Sequence, residues 1–256
     1  MMPTEINVTE EIELENPIFI EALPGIGHVG KLAIDSMIDE MDAIKFAEIY
    51  SPYFPPQIFV GEKGIAENMV NELYYLKDVG ENKQDFILLV GNTQGISPEG
   101  QYEICRDVLD FLEKYNINTI YTLGGIATGQ PTTNPRVLGV ATDLDTVEFL
   151  EKHDVVLRSN DGGIIGASGL FLGLAMRRNI SGACLMGETP GYFIDAEAAE
   201  VLLVKLSELL NIEVNTEKLD ERAEETKKML EKAYQMEKDM MSKASNQDMD
   251  DLRYIG

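Results

Sequence analysis

The chain has 256 residues, 44% of them apolar and 26% charged, which is enough for one large domain with a sizeable core plus an appendage. Its net charge of −24 argues against nucleic acid and against an anionic membrane surface as partners. No apolar run is long and uncharged enough to predict a transmembrane helix, and residues 1–15 lack the basic-then-apolar order of a secretory signal. Cys105 and Cys184 sit far apart in apolar surroundings. They read as buried free thiols in a reducing, cytoplasmic setting, with a bridge between them as the alternative that sequence leaves open.

In chain order, Pro17-Ile-Phe-Ile-Glu-Ala-Leu23 predicts a strand, followed by a glycine turn and a helix from about residue 28 to 41. Residues 43–50 predict a second strand. Ser51-Pro-Tyr-Phe-Pro-Pro56 breaks regularity, and residues 57–60 and 65–75 flank Gly61-Glu-Lys-Gly64 as a hairpin. Asp85-Phe-Ile-Leu-Leu-Val-Gly91 suits a buried parallel strand. Ser97-Pro98-Glu99 opens a helix to about residue 115, with Ser97 as cap and Pro98 in the first turn. Strands follow at 118–123, 137–142, 155–157 and 183–186. A very apolar helix is expected at 169–178, and a helix capped by Asp195 runs to about residue 210. Strands alternate with helices and tend to end in glycine. The expected fold class is therefore α/β, a sheet covered by helices on both faces.

The character changes after Val214. The organisation expected is an α/β domain over 1–214, a sparsely apolar, projecting helix over 215–243 and a flexible tail over 244–256. Twelve acidic and seven basic side chains in residues 213–251 leave most of the negative charge on the body, which would steer a basic partner toward it.

Gly25-x-Gly27-x-x-Gly30 matches the dinucleotide fingerprint, and Glu48 ends the next predicted strand. Such glycines admit a pyrophosphate, whose charge the helix N-terminus attracts. Pro24 at the turn and the hairpin that replaces a second crossover favour tight turns and close helix packing instead. Histidines occur only at 28 and 153, outside any spaced ligand set, so no metal site is expected. His28 reads as a capping or packing residue. Gly166-Ala-Ser168-Gly-Leu170 approaches a nucleophile elbow, but Leu170 stands at the last glycine and no histidine follows. Ser168 reads as a helix cap.

Several glycine signatures together carry a family resemblance. Pro24-Gly-Ile-Gly-His-Val-Gly30, Leu123-Gly-Gly-Ile-Ala-Thr-Gly129, Asn134-Pro-Arg-Val-Leu-Gly-Val140, Asp161-Gly-Gly-Ile-Ile-Gly-Ala-Ser-Gly-Leu170 and Leu185-Met-Gly-Glu-Thr-Pro-Gly191 resemble the archaeal proteasome assembly chaperone family over roughly residues 15 to 225. The resemblance implies a sandwich similar to nucleoside phosphorylases without their active site. It further implies homo-oligomers that bind proteasome α-subunits as assembly chaperones or ATP-independent activators, with no cofactor and no catalytic residue.

Leu252-Arg-Tyr-Ile-Gly256 closes a polar segment with a small apolar cluster. Leu252, Tyr254, Ile255 and Gly256 are the expected partner-binding residues: the aromatic fills a pocket and the terminal carboxylate meets a lysine. The end resembles the hydrophobic–tyrosine–any residue tail of proteasome activators, although Tyr254 is third from the end where that pattern has its tyrosine second. The alternative function is a nucleotide- or nucleoside-binding enzyme using the Gly25–Gly30 turn, which a thermal shift with nucleotides separates from a protein-docking role.

Overall fold

The computed structural model describes residues 3–159, 162–226 and 228–229. In chain order the elements are β1 (Glu5–Val8), β2 (Ile18–Ala22), α1 (Val29–Glu40), β3 (Ile44–Tyr50), β4 (Ile58–Val60), β5 (Ala66–Asn68), β6 (Asn71–Val79), β7 (Gln84–Gly91) and α2 (Pro98–Leu112). They continue with β8 (Thr119–Ala127), β9 (Val137–Ala141), α3 (Leu144–Lys152), β10 (Val156–Leu157), α4 (Ala167–Met176), β11 (Ser181–Thr189) and α5 (Ala196–Leu210). Residues 217–226 are helical as well.

Among the described residues, nine strands form one mixed sheet in the order β1-β3-β6-β7-β2-β8-β11-β9-β10, and β4 with β5 forms a separate two-stranded ribbon. The centre, β7-β2-β8-β11, is parallel throughout, with Ile18 opposite Phe86, Phe19 opposite Ile120 and Ser181 opposite Thr119. Antiparallel strands extend it on both sides. Phe86 to Leu89 of β7 are fully buried, as a strand covered on both faces requires.

Side chains alternate across the sheet, so two cores form. Ile20, Ala22, Tyr121, Leu123, Ala183 and Leu185 face α1 and α5, where Ile34, Met37, Leu202, Leu203 and Leu206 pack. Phe19, Leu23, Ile120, Cys184 and Met186 face α2 and α4, with Ile104, Val108, Leu109, Phe171 and Ala175. The result is a three-layer α/β/α sandwich. It is the fold class that the sequence predicts.

Local chemistry explains the starts of the helices. Ser97 accepts from Gly100 N–H at 3.1 Å and Asp195 from Ala198 N–H at 3.0 Å, each capping as expected. Ser168 does not cap α4. The Gln94 side-chain carbonyl accepts from Ala167 N–H at 3.0 Å, so the cap comes from a loop distant in sequence. Helix α3 and strand β1 are absent from the sequence reading, and the strand expected at 65–75 is split into β5 and β6 by buried Met69. The C-terminal helix begins against the body: Leu219 is buried in the α1/α5 core and Lys218 pairs with Glu40 at 2.6 Å. The remainder of the expected helix and the tail residues Leu252, Tyr254, Ile255 and Gly256 lie outside the described residues.

Candidate functional site: the loop end of the sheet

The C-terminal ends of β2, β7, β8 and β11 share one end of the sheet, because the four strands are parallel. In open α/β sheets this is where ligands and partners are met. The loops there are tied to one another. Gln94 donates from Nε2 to the Pro24 carbonyl at 2.8 Å while its Oε1 holds Ala167. Asp195 N–H donates to the Gly27 carbonyl at 2.9 Å, Thr128 N–H to Thr189 at 2.8 Å and Ile96 N–H to Tyr53 at 3.0 Å. The five glycine signatures singled out in the sequence thereby converge on one end of the molecule.

Gly30 and Gly27 serve packing. A methyl on Gly30 would collide with the Leu123 carbonyl of β8, so glycine lets the first turn of α1 lie directly on the sheet. Gly27 adopts φ 61° with Thr189 against it. The acid of the dinucleotide reading is misplaced: β3 is separated from β2 by β6 and β7, and Glu48 pairs with Lys45 at 2.7 Å. In a dinucleotide fold that acid stands at the end of the strand adjacent to the glycine turn.

His28 is exposed, sits in the left-handed region at φ 52° and makes no side-chain cap, which corrects its expected capping or packing role. His153 places Nδ1 2.8 Å from the Phe149 carbonyl at the end of α3, a local contact. Cys105 and Cys184 are free and buried. Burial raises both thiols, Cys184 to about 12, so neither is a ready nucleophile. Among the described residues no group of three His, Cys, Asp or Glu is placed to hold a metal ion.

The group that the sequence reading missed is Glu21. It is fully buried in β2 with the α2/α4 core, and its Oε1 accepts from Leu23 N–H at 3.1 Å. Its Oε2 has no hydrogen-bond partner among the described residues. Burial pushes its carboxyl up to about 8 against the opposing effects of the Ser168 hydroxyl and the Leu23 N–H, so at neutral pH it is mostly protonated. A lone acid inside Ile-Phe-Ile-Glu-Ala-Leu is the signal that sequence offers.

Above this interior the loop end is apolar. Ile26, Ile96, Ile165, Tyr192 and Ile194 stand exposed on its loops, and Ile58, Phe59, Val60 and Ile65 on the β4–β5 ribbon that follows β3. A two-stranded ribbon has little stability alone in water, and large exposed apolar patches mark sites of contact with other proteins.

The family model described as the PAC2 family matches residues 19–234. The chain belongs to the PAC2 family. The uncharacterized protein MJ1210 of Methanocaldococcus jannaschii is 41% identical over 245 residues, covering 95% of this chain and 93% of that protein. Among solved structures, Pyrococcus furiosus PbaB, described as an archaeal proteasome activator, is 39% identical with a TM-score of 0.86, over 91% of this chain and all of PbaB. Pyrococcus furiosus PbaA, described as an archaeal homolog of proteasome-assembly chaperone, is 26% identical with a TM-score of 0.77, over 99% of this chain and all of PbaA. The resemblance seen in the glycine signatures is thus a family relationship, and this PAC2 protein shares the fold of both Pyrococcus proteins.

Proposed function

We propose that this protein is a non-enzymatic proteasome-binding protein, an assembly chaperone or ATP-independent activator, acting as a homo-oligomer in the cytoplasm. The observation that carries this reading is the apolar loop end: it offers contact area for another protein, with the Glu21 carboxyl sealed beneath. Membership of the PAC2 family and the likeness to PbaB support it. No helix among the described residues is long and apolar enough to cross a membrane.

In this reading residues 1–214 form the body, 215–243 a helix and 244–256 a tail whose Leu252, Tyr254, Ile255 and Gly256 dock on proteasome α-subunits. Several tails on one oligomer raise their effective concentration, so individually weak contacts bind well together. Tighter binding to an assembly intermediate or an open gate then shifts the population of that state.

The test is capture of proteasome α-subunits by the full chain and by a chain ending at Asp251. Much stronger capture by the full chain is the expected result, the tail adding to the contact area of the loop end. Equal capture by both moves the interface to the body, and capture by neither overturns the reading.

A further inference from the structure

Past β7 the sheet continues through β6, β3 and β1. Over β6, between α1 and the 217–226 helix, runs a cleft of about 650 Å³. That is within the range of small-molecule sites, about 300–1,000 Å³. Register puts Asn7, Glu48, Glu72 and Val90 in one row across β1, β3, β6 and β7. Glu48 and Glu72 are therefore direct cross-strand neighbours, which costs stability for like charges. One cation serves both: Lys45 lies 2.7 Å from Glu48 and 3.1 Å from Glu72. A smaller hollow of about 280 Å³ adjoins the cleft at Glu48, and Glu5 and Asn7 line it.

An unpartnered hydroxyl points to an occupant. Ser36 of α1 lines the cleft, is only 9% exposed, and its Oγ has no hydrogen-bond partner among the described residues. A hydroxyl in mid-helix ordinarily bonds back to the preceding turn, and one buried without a partner is costly. One turn on, Asp39 stands on the same side of α1 and makes no ion pair among the described residues.

The lining defines the ligand's chemistry. Five acidic and three basic side chains line the cleft, so an anion is disfavoured. The two lysines are engaged already, Lys31 with Asp35 and Lys218 with Glu40, each at 2.6 Å. No three carboxylates among the described residues converge as a metal needs. The acids are instead spread along the cleft, with Ile38, Val70, Leu219 and the Tyr74 ring between them. That spacing suits a cation whose charges are separated by hydrocarbon.

We propose that this cleft binds a linear polyamine, an aliphatic chain carrying several protonated amines. One amine donates to Ser36 Oγ and pairs with Asp39. Another meets Glu72 and Glu48, which have a single lysine between them. The methylenes lie on Ile38 and Leu219, and the Tyr74 ring offers its face to a passing charge. Because Leu219 and Arg222 belong to the 217–226 helix, the ligand bridges that helix to the body. The proposal is independent of proteasome binding.

The experiment is calorimetric titration of the full chain with spermidine in 0.15 M salt. Saturable binding of one spermidine per chain is expected. Ser36→Ala removes a hydroxyl that holds nothing in the fold and should weaken binding at least fivefold. Asp39→Asn, at an exposed position, should do the same. Arg222→Gln removes an opposing charge and should tighten it about twofold. Glu151→Gln, exposed on α3, leaves the affinity unchanged, which separates the cleft from the general attraction of a chain of charge −24. Unsaturable heats overturn the proposal, as does an unchanged affinity in folded Ser36→Ala or folded Asp39→Asn. Equal competition by magnesium chloride at matched ionic strength would reduce the site to a counterion atmosphere and overturn it too. Ser36-dependent binding of octalysine without binding of spermidine would replace the polyamine by a basic protein segment.

Discussion

The two faces of the sheet are built differently. Beneath α1 and α5 the core is almost entirely hydrocarbon, and the outer sides of these helices are finished with charge: Lys31 pairs with Asp35 at 2.6 Å and Lys205 with Glu208 at 2.5 Å. The 217–226 helix closes this face further through Leu219. Beneath α2 and α4 the core holds a carboxyl and two thiols among aromatic rings, and the outer side of α4 has no charge at all. On that second face α2 is finished with charge as well, through Glu99, Glu103 and the Arg106–Asp107 pair, while the outer side of α4 is left apolar, unlike an ordinary solvent-facing helix. The difference shows that burial of a helix's inner side says little about its role.

The largest effect tests whether the inner side of α4 is ordinary core. Phe171 is fully buried and meets Phe19 edge to face at 5.7 Å. Phe171→Ala is expected to cost about 3–5 kcal/mol in urea unfolding. A loss below about 1 kcal/mol would mean that α4 is only loosely held and would weaken the contrast drawn between its two sides.

Glu21→Gln comes next and should stabilise. A carboxyl at about 8 when folded, against the ordinary 4.5, binds its proton more tightly in the folded state. Its contribution is fully present below about pH 4.5 and is lost as pH rises toward 8. At pH 7 a permanently neutral amide of the same shape avoids about 3 kcal/mol of that loss. Paired urea titrations at pH 5 and pH 7.5 check the sign: the advantage of Glu21→Gln must grow with pH. An equal or shrinking difference would show that the carboxylate is paired or solvated, removing the polar interior from the comparison.

Much of this architecture is legible from residue patterns. The run from Phe86 to Val90 announces a strand buried on both faces, and Ser97-Pro98 and Asp195 announce helix starts, because each signal is local. Helix α3 escaped despite its own cap, in which Asp143 accepts from Thr146 N–H at 2.8 Å. It is a nine-residue element with Leu150 as its one buried side chain, so its periodicity is faint. The cap of α4 was not legible at all, since Gln94 lies 73 positions from Ala167. The convergence of the glycine signatures at one end follows from strand order, and pairing of β2 with β7 and β8 is a long-range fact that no window of sequence contains. Glu21 was visible as a letter. Its significance came from the two helices that seal it.

The smallest expected effect concerns how the finished face is closed. Glu200 on α5 meets the 217–226 helix, where burial first and then a hydrogen bond with Asp220 push its carboxyl up to about 7. Thr216 opposes the shift with its own hydrogen bond, and Glu197 adds to it from the same helix. Across the junction, Lys218 is engaged with Glu40. The contribution of the raised Glu200 carboxyl is fully present below about pH 4.5 and is lost as pH rises through about 7, where its proton leaves and the contact with the 217–226 helix loosens. Hydrogen-exchange protection of amides 217–226, corrected for intrinsic exchange, should therefore decline from pH 6 to pH 8. The decline is at most about tenfold, because the pair is partly open to solvent and screened. In Glu200→Gln the amide donates to Asp220 at every pH, so protection stays level across the range. Protection that declines equally in both would place the closing contact on Leu219 and the Lys218–Glu40 pair alone, and the α1/α5 face would then be finished by hydrocarbon and ion pairing without a titrating link.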